Sequence, residues 1–368
     1  MRIGISLLNF RPGKIGGTET FLRELLAHLP SVTPGDSLVA IMDRDVAGAL
    51  DTPGFERIVA DRGGGAIVAG RILEALSPWR FRRLERLFSS ARLDVALFPQ
   101  QSVFPKHAPV RAVLTVVDVQ HLIYPNHFGL FDRTFRPAIY PYSMERSERI
   151  VAISAHVRRT VVERCGIDPS KVVVVPLGFT PRGTSGVRPY EGIGCPYLYY
   201  PAFSHPHKNH ETLLRTYASL KRSGAVPQKL VFTGGRTGHW KKIDRLIGEL
   251  ELRGDVIHLG LLSYGEVRRL YAGADAILFP TRYEGFGLPV LEAAEFGKKV
   301  VASRLEVFDE IGLPRQYQID FADPEQLRAA LALPGPTELE VRHWGWHDMA
   351  DAYAALLREV AASPPSPA

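Results

Sequence analysis

Cysteine is scarce in this sequence, and long apolar runs are missing. Only Cys165 and Cys195 occur among the 368 residues, and their spacing fits neither a CxxC motif nor a set of metal ligands. This argues against a disulfide framework and a zinc site, and it fits a reducing compartment. No apolar run approaches the roughly 20 residues that a membrane-spanning helix needs. A GxGxxG fingerprint is also missing, which argues against a dinucleotide site.

The remaining composition is typical of a globular chain long enough for two domains. Hydrophobic residues make up 45% of the chain and charged residues 23%, with a formal net charge of +6. A mildly basic chain suits an anionic ligand or an anionic membrane surface, and we expect no nucleic-acid partner. Residues 1–8 become polar too soon for a signal peptide and are predicted to form the first strand. We therefore expect a cytoplasmic protein.

Short β-branched apolar runs alternate with helical patterns along the whole chain. This alternation predicts βαβ units with parallel sheets. A stretch rich in Gly and Pro at 178–194 has no apolar period, and we interpret it as a linker. The predicted fold class is therefore α/β, with two Rossmann-like domains at 1–178 and 195–345 and a cleft between them.

The most informative segment is residues 281–292, Thr-Arg-Tyr-Glu-Gly-Phe-Gly-Leu-Pro-Val-Leu-Glu. A predicted strand enters it, and a predicted helix leaves it at Leu288. Glu284 and Glu292 are therefore expected near the carboxyl end of a strand, where open α/β sheets bind ligands. Carboxylates there accept hydrogen bonds from the vicinal hydroxyls of a sugar. The intervening glycines let the backbone approach a ligand, and the helix N-terminus favours a phosphate.

Two further junctions place charge or free N–H groups beside a predicted strand. Lys208 lies between a strand and a helix, where its ammonium suits a phosphate; a solvated lysine is an equal alternative. Gly16 and Gly17 follow the first strand and open a helix, a second arrangement that favours a phosphate. The nearby histidines fit no standard zinc site, so we assign no metal. They are His205, His207 and His210.

The string from Glu284 to Glu292 resembles the Glu-x7-Glu motif of the retaining GT-B glycosyltransferases of family 4, the glycosyl transferases group 1. The resemblance extends over nearly the whole chain. It implies that Glu284 contacts the donor sugar and that Glu292 binds the nucleotide ribose. The backbone amides implied in donor binding are those of Gly285, Phe286, Gly287 and Leu288.

The same resemblance implies roles for the two other junctions. The sequence Pro-His-Lys-Asn resembles the family's Pro-x-Lys-Asn element, whose lysine binds the donor diphosphate, so Lys208 is implied in that role. Gly16 and Gly17 match the family's Gly-Gly-x-Glu loop, which faces the donor phosphates across the cleft. The final segment, 346–361, resembles the family's last helix, which crosses back onto the first domain.

Two positions depart from the family pattern. The family often has a phosphate-binding arginine six residues before the lysine, and here that residue is Ala202. His205 and Arg236 are the candidate cations to replace it. Many members also have a histidine before the aspartate at the reaction centre, and here that residue is Val117.

A subgroup of the family instead has Asp-x-Gln-His, which Asp118, Gln120 and His121 match. The resemblance implies that these residues line the acceptor side. Asp118 and His121 then join Glu284 and Lys208 as candidate catalytic residues. A loop histidine bonded to a backbone carbonyl is the alternative, and both interpretations stay open here.

Residues 71–92 carry six arginines against two glutamates, with Trp79, Phe81 and Phe88 among them. A basic helix with aromatic residues can lie on anionic lipid. A solvated helix whose apolar side packs on the sheet is the commoner structure. Because many family members use lipid-linked acceptors, peripheral contact with the inner face of the membrane is a hypothesis for this segment.

With these residues, the resemblance implies a hexosyltransferase, and we expect it to need neither a metal nor a cofactor. We expect it to move a hexose, with mannose from GDP-mannose as the best match, from a nucleotide diphosphate sugar to a glycan or lipid-linked acceptor. The resemblance implies retention at the anomeric carbon and a place in bacterial polysaccharide or lipopolysaccharide synthesis. The alternatives are a nucleotide-sugar epimerase on the same fold, a dinucleotide-dependent oxidoreductase and a non-catalytic sugar-nucleotide binding module.

Overall fold

The structure, a computed structural model, describes residues 1–13, 17–61, 63–76, 80–340 and 344–364. The chain divides into two compact units. Unit 1 combines Met1–Thr180 with the C-terminal segment from Trp344, and unit 2 is Pro181–His343. None of the helices in the described ranges has the length and apolar character needed to cross a bilayer.

Unit 1 is built around a parallel sheet. Its strands are β1 (Arg2–Ser6), β2 (Ser37–Asp43), β3 (Phe55–Ala60), β4 (Val95–Phe98), β5 (Ala112–Val116), β6 (Arg149–Ala152) and β7 (Val172–Val174). Their order across the sheet is β3-β2-β1-β4-β5-β6-β7. The inner strands are continuous apolar runs, as expected for a parallel sheet covered on both faces. Strands β4 and β5 are buried at every position.

The helices of unit 1 pack around this sheet. They are α1 (Gly17–Val32), α2 (Arg44–Ala49), α3 (Gly64–Leu76), α4 (Arg82–Ser90), α5 (Gln120–Ile123), α6 (Leu130–Arg146) and α7 (Ala155–Cys165). The last helix of the chain also belongs to this unit. It packs on α1, with the ring centroids of Phe21 and Tyr353 5.9 Å apart. Arg358 of this last helix pairs with Asp36 at 2.9 Å.

Unit 2 repeats the plan. Its strands are β8 (Tyr197–Pro201), β9 (Lys229–Thr233), β10 (Val256–His258), β11 (Ala276–Phe279), β12 (Lys299–Ser303) and β13 (Gln318–Ile319). Their order is β10-β9-β8-β11-β12-β13, all parallel. This is the order of a doubly wound Rossmann sheet, which reverses between β8 and β11.

The helices of unit 2 follow its strands in alternation. They are α8 (His210–Arg222), α9 (Trp240–Glu249), α10 (Tyr264–Gly273), α11 (Leu288–Glu295), α12 (Glu306–Glu310) and α13 (Pro324–Ala332), and the C-terminal helix of unit 1 is α14 (Trp346–Ala362). The predicted α/β class with two Rossmann-like domains is therefore confirmed. The sequence pattern did not predict α5 and α12, because helices of four or five residues are too short to show a helical period.

Candidate active site

The carboxyl ends of β8 and β11 lie side by side, at the point where the strand order of unit 2 reverses. Ligands of open α/β sheets bind at such a point. Two hydrogen bonds join the segments that follow the strands. The Arg282 N–H donates to the His207 carbonyl over 2.8 Å, and the Asn209 side-chain amide donates to the Pro280 carbonyl over 3.0 Å. The two segments therefore form one connected surface.

Lys208 and Glu284 form an ion pair on this surface, with Lys208 Nζ donating to Glu284 Oε1. Their side chains are 20% and 17% exposed, so a ligand can reach a pair that is already partly desolvated. The Tyr200 hydroxyl, at the end of β8, donates to the Lys208 carbonyl over 2.8 Å and holds the lysine's turn. The fold thus brings two of the predicted catalytic residues into contact.

Unpaired backbone N–H groups follow Glu284 directly. No acceptor among the described residues takes a hydrogen bond from the amides of Gly285, Phe286, Gly287 and Leu288. Gly287 is the N-cap of α11 and has φ of 109°. A Cβ at this position would lie 3.2 Å from both Ile311 and Phe308, so the turn requires glycine. Free amides at a helix N-terminus suit the oxygens of a phosphate or a sugar.

Glu292 lies in the second turn of α11 and is half-buried. Its Oε2 accepts a hydrogen bond from the Tyr271 hydroxyl over 3.1 Å. Burial raises the pKa of Glu292 to about 7, although the Tyr271 bond and the charges of Arg182 and Arg268 oppose the rise. The carboxyl group therefore titrates near neutrality and can accept hydrogen bonds from hydroxyl groups, as the predicted ribose contact requires.

Backbone atoms enclose Ala202, the position at which the family often has a phosphate-binding arginine. Ala202 donates its N–H to the Thr233 carbonyl over 3.2 Å, and a Cβ on Gly234 would lie 2.7 Å from the Ala202 carbonyl. Of the two candidate replacements, Arg236 lies over the Trp240 ring at 4.9 Å and donates to His258 over 3.2 Å.

His205 is the other candidate replacement. Its ring stacks between Phe203 and His207, with centroids 6.1 and 5.6 Å away. Burial lowers the pKa of His205, so the ring is neutral at pH 7. Arg236 is therefore the charged member of the two. In the described part of the chain no three His, Cys, Asp or Glu side chains converge as metal ligands would.

The predicted acceptor residues follow β5 in unit 1. The Gln120 N–H donates to Asp118 Oδ1 over 3.1 Å at the start of α5. His121 is 6% exposed, and burial lowers its pKa to about 4, so its ring is neutral near pH 7. The ring meets Tyr140 edge-on at 5.1 Å. His121 Nδ1 has no partner among the described residues, so this nitrogen does not form the backbone bond of the alternative interpretation.

The predicted glycine loop is described only in part. Gly16 lies outside the described residues, and Gly17 is the exposed first residue of α1. Glu19 accepts a hydrogen bond from the Gly13 N–H over 2.7 Å and pairs with Arg23 at 2.8 Å. These contacts hold the chain on both sides of the loop.

The arginine-rich segment 71–92 is described except for residues 77–79, which include Trp79. The apolar residues Leu84 and Phe88 of α4 are buried in unit 1. The outward face of α4 carries the exposed Arg82, Arg83 and Arg86. A membrane contact through this helix is therefore limited to charge, since its apolar face is already occupied.

The sequence patterns missed a second group of polar residues in unit 1. Tyr140 of α6 meets the ring of His121 edge-on, and the charges of Arg71 of α3 and Arg136 of α6 act on Tyr140. Each lies on a helix of ordinary amphipathic character. Because these three residues lie far from Asp118 in the sequence, no local pattern predicted that they belong to one group.

Two family models match the chain in succession. The model described as Glycosyltransferase Family 4 matches residues 15–182, and the model described as Glycosyl transferases group 1 matches residues 196–333. Among solved structures, WaaG, a glycosyltransferase involved in lipopolysaccharide biosynthesis, aligns over 98% of this chain and 95% of its own with a TM-score of 0.63 at 15% identity. A sucrose-phosphate synthase from Thermosynechococcus elongatus aligns over 99% and 100% with a TM-score of 0.68 at 14% identity. The fold is that of the GT-B glycosyltransferases.

The curated relatives extend the likeness to sequence. The O-antigen chain mannosyltransferase RfbU of Salmonella typhimurium is 25% identical over 198 residues, 54% of this chain and 53% of the relative. The O-antigen chain mannosyltransferase B of Escherichia coli is 26% identical over 238 residues, 61% of each chain. The chain thus spans between half and two thirds of the length of these relatives. It belongs to the family 4 glycosyltransferases, the glycosyl transferases group 1.

Proposed function

We propose that this chain is a retaining, metal-independent hexosyltransferase. It transfers mannose from GDP-mannose to a glycan or lipid-linked acceptor in the synthesis of a bacterial surface polysaccharide. The observation that carries the proposal is the Lys208–Glu284 ion pair beside the free amides of residues 285–288. The mannosyltransferase names of the curated relatives support the choice of donor.

The donor site binds the diphosphate through charge and the two sugars through hydrogen bonds to their hydroxyls. Lys208 and the N–H groups at the start of α11 oppose the negative charge that develops on the diphosphate as the glycosidic bond breaks. Glu284 accepts hydrogen bonds from the hydroxyls of the donor sugar, and Glu292 accepts them from the ribose. No carboxylate is needed as a proton-transfer group in this arrangement.

The transfer step balances without a covalent enzyme intermediate. The acceptor hydroxyl oxygen bonds to the anomeric carbon on the face from which the diphosphate oxygen leaves. The electron pair of the broken bond stays with the diphosphate, and the acceptor's proton moves to an oxygen of that leaving group. The configuration at the anomeric carbon is therefore retained.

A donor panel tests the proposal without an acceptor. Slow hydrolysis of GDP-mannose, UDP-glucose and UDP-N-acetylglucosamine is measured, and we expect GDP-mannose to be cleaved fastest. Titration calorimetry with GDP, UDP and NAD runs beside it. Tight binding of NAD with no response to either nucleoside diphosphate would overturn the proposal in favour of an oxidoreductase, and conversion of a donor to its epimer would favour the epimerase.

Two further measurements address the finer parts of the proposal. Proton NMR of the first sugar product identifies its anomer, and an inverted configuration contradicts retention. Hydrolysis in excess EDTA should proceed at the same rate as in added magnesium. A rate that EDTA abolishes and magnesium restores contradicts metal independence.

We also propose charge-driven contact between α4 and anionic membranes, supported by the exposed Arg82, Arg83 and Arg86. Co-sedimentation with phosphatidylglycerol vesicles should fall sharply in the triple Arg→Glu variant. The matched control reverses three exposed cations of unit 2, namely Arg222, Lys241 and Arg245. Equal loss in both variants would show a general charge effect and remove the role of α4.

A further inference from the structure

The guanidinium of Arg71 lies at the reversal point of the unit 1 sheet. Its Nη2 donates to Ser102 Oγ over 3.0 Å, just beyond β4. Asn9, just beyond β1, donates its amide to the same Oγ over 3.1 Å. Strands β1 and β4 are neighbours, and the strand order reverses between them. Arg71 therefore occupies in unit 1 the kind of position that Lys208 occupies in unit 2, where such sheets bind ligands.

Among the described residues Arg71 forms no ion pair with a carboxylate, and its side chain donates to the Ser102 hydroxyl instead. Glu74, one helical turn away, instead accepts the Lys106 N–H over 2.7 Å. Burial raises the pKa of Glu74 to about 7, so this carboxyl group carries only part of a charge at neutrality. Glu74 therefore opposes the charge of the half-buried Arg71 only in part, and an anionic ligand would supply the rest of the counter-charge.

The other charges of this region are already matched. Arg136 donates Nε to Asp132 Oδ1 over 3.1 Å, and the charges of Asp118 and Asp132 both act on it. The Phe135 ring lies 5.4 Å from the Arg71 guanidinium and covers it without neutralising it. Arg71 is therefore the cation of this cluster that a ligand can engage.

Buried polar atoms in the segments that follow β1, β4 and β5 also have no partner among the described residues. Gln100 Oε1 and Asn9 Oδ1, at the ends of β4 and β1, and His121 Nδ1 accept no hydrogen bond from any described residue. Gln100 is 9% exposed and His121 6%. Most buried polar atoms in folded proteins are satisfied, so unsatisfied ones at a ligand edge indicate a missing partner. Sugar hydroxyls both donate and accept, and they match amide and imidazole groups.

We propose that unit 1 binds a phosphorylated sugar as the acceptor, with Arg71 on its phosphate and Gln100 and His121 on its hydroxyls. This proposal rests on the proposed transferase function and names the chemical class of the acceptor. Tyr140 connects the two halves of the site, because its ring meets His121 and its hydroxyl lies within reach of the Arg71 and Asp118 charges. The phosphate belongs either to a soluble sugar phosphate or to the diphosphate of a lipid-linked sugar.

Titration calorimetry on the full chain tests the proposal in a Lys208→Met background, which removes the donor phosphate contact. The probes are N-acetylglucosamine 1-phosphate, its farnesyl diphosphate-linked counterpart and free N-acetylglucosamine. We expect the two phosphorylated probes to bind, and adding Arg71→Met to weaken them about 10- to 100-fold, the range for a hydrogen bond to a charged group. Arg71→Lys should restore part of that loss because it keeps the charge.

Arg158→Met is the matched control, since Arg158 is a half-buried unit 1 arginine whose Nε donates to the Val172 carbonyl. It should change binding less than twofold. Equal binding with and without Arg71, or no binding of either phosphorylated probe to the Lys208→Met chain, overturns the proposal. Tighter binding of the lipid-linked probe identifies the lipid source, and equal binding identifies the soluble one.

A folding check uses the thermal midpoints of all variants, and Arg71→Gln replaces Arg71→Met if the latter unfolds. A failure of this acceptor proposal can be distinguished from a failure of the proposed transferase function. A wild-type chain that hydrolyses no donor contradicts the transferase, whereas probe binding that depends on Arg71 needs no donor and stands or falls by itself.

Discussion

Lys208 and Glu284 are ion partners although 76 positions separate them in the chain. The neighbouring strands β8 and β11 place them together at the edge where the sheet order reverses. In this structure each charge satisfies the other. A donor's diphosphate and sugar hydroxyls would engage the same two groups separately, so the pair keeps the site arranged before the donor arrives.

Glu284→Gln should lower donor turnover about 100-fold or more, the usual scale for one lost polar contact to a reacting group. The amide keeps the shape of the carboxylate, so the thermal midpoint should change little. Steady-state hydrolysis of the preferred donor measures the effect. Undiminished sugar transfer by this variant contradicts the assignment of Glu284.

A second ion pair of unit 2 provides the control for this experiment. Lys221 and Asp255 pair at 2.8 Å with comparable exposure, away from β11. Lys208→Met and Glu284→Gln should show strong coupling in a double-mutant cycle of turnover. Lys221→Met and Asp255→Asn should leave turnover within about twofold, since surface ion pairs contribute about 1 kcal/mol or less to stability. Equal losses from both pairs would indicate a general effect of charge removal.

Glu292 should make unit 2 less stable as the pH rises. Its carboxyl group has a pKa of about 7 in the folded chain against an ordinary value of 4.5. Between these values the folded chain holds a proton that the unfolded chain has lost, so the free energy of unfolding falls from pH 5 to pH 7. The size is on the order of 2 kcal/mol, at about 1.4 kcal/mol per pKa unit.

Urea unfolding of the wild type and Glu292→Gln at pH 5 and pH 8 checks this expectation. The variant should lose less stability than the wild type across that range. Burial also raises the pKa of Glu74 in unit 1 to about 7. Urea unfolding of Glu74→Gln is therefore measured at the same two pH values. Identical pH dependence in the wild type and Glu292→Gln would contradict the raised pKa.

Gly234→Ala should destabilise unit 2 by about 3 kcal/mol, because overpacking and backbone strain each cost 1–3 kcal/mol. Gly234 has φ of 105°, and an added Cβ would lie 2.7 Å from the backbone of Ala202. Gly254→Ala is the control, since no atom lies within 4 Å of its Cβ position. The urea midpoint measures both. Equal midpoints for the two variants would contradict the close approach of the segments after β8 and β9.

The placement of Glu284 and Glu292 at a strand's carboxyl end was predictable because its signals are local. Glu284, Glu292 and the glycines between them lie in one short string after an apolar strand. The parallel strands were predictable for the same reason, since buried strands are continuous apolar runs. The pairing of Lys208 with Glu284 needed the strand order, which no local pattern contains.

The group formed by Arg71, Ser102 and Tyr140 could not be predicted from local sequence patterns. Arg71, Ser102 and Tyr140 belong to different elements, and only the packing of α3 and α6 on the sheet brings them together. A weak signal did exist, because Gln100 and Gln101 follow the apolar strand β4 after a single proline, Pro99. Polar side chains at a strand's carboxyl end favour a ligand edge, but an uncharged glutamine there is also common in ordinary loops.

Tyr353→Phe should destabilise unit 1 by about 1–2 kcal/mol, the cost of leaving a buried hydroxyl unpaired. The Tyr353 hydroxyl shares a buried hydrogen bond of 3.1 Å with Thr115 Oγ1, which joins α14 to β5, the strand that precedes Asp118. Phenylalanine keeps the ring contact with Phe21 and removes only this bond. Tyr190→Phe in unit 2 is the matched control, because no hydrogen bond of its hydroxyl is found among the described residues. A Tyr353→Phe chain with the wild-type urea midpoint would show that α14 is held by apolar packing alone.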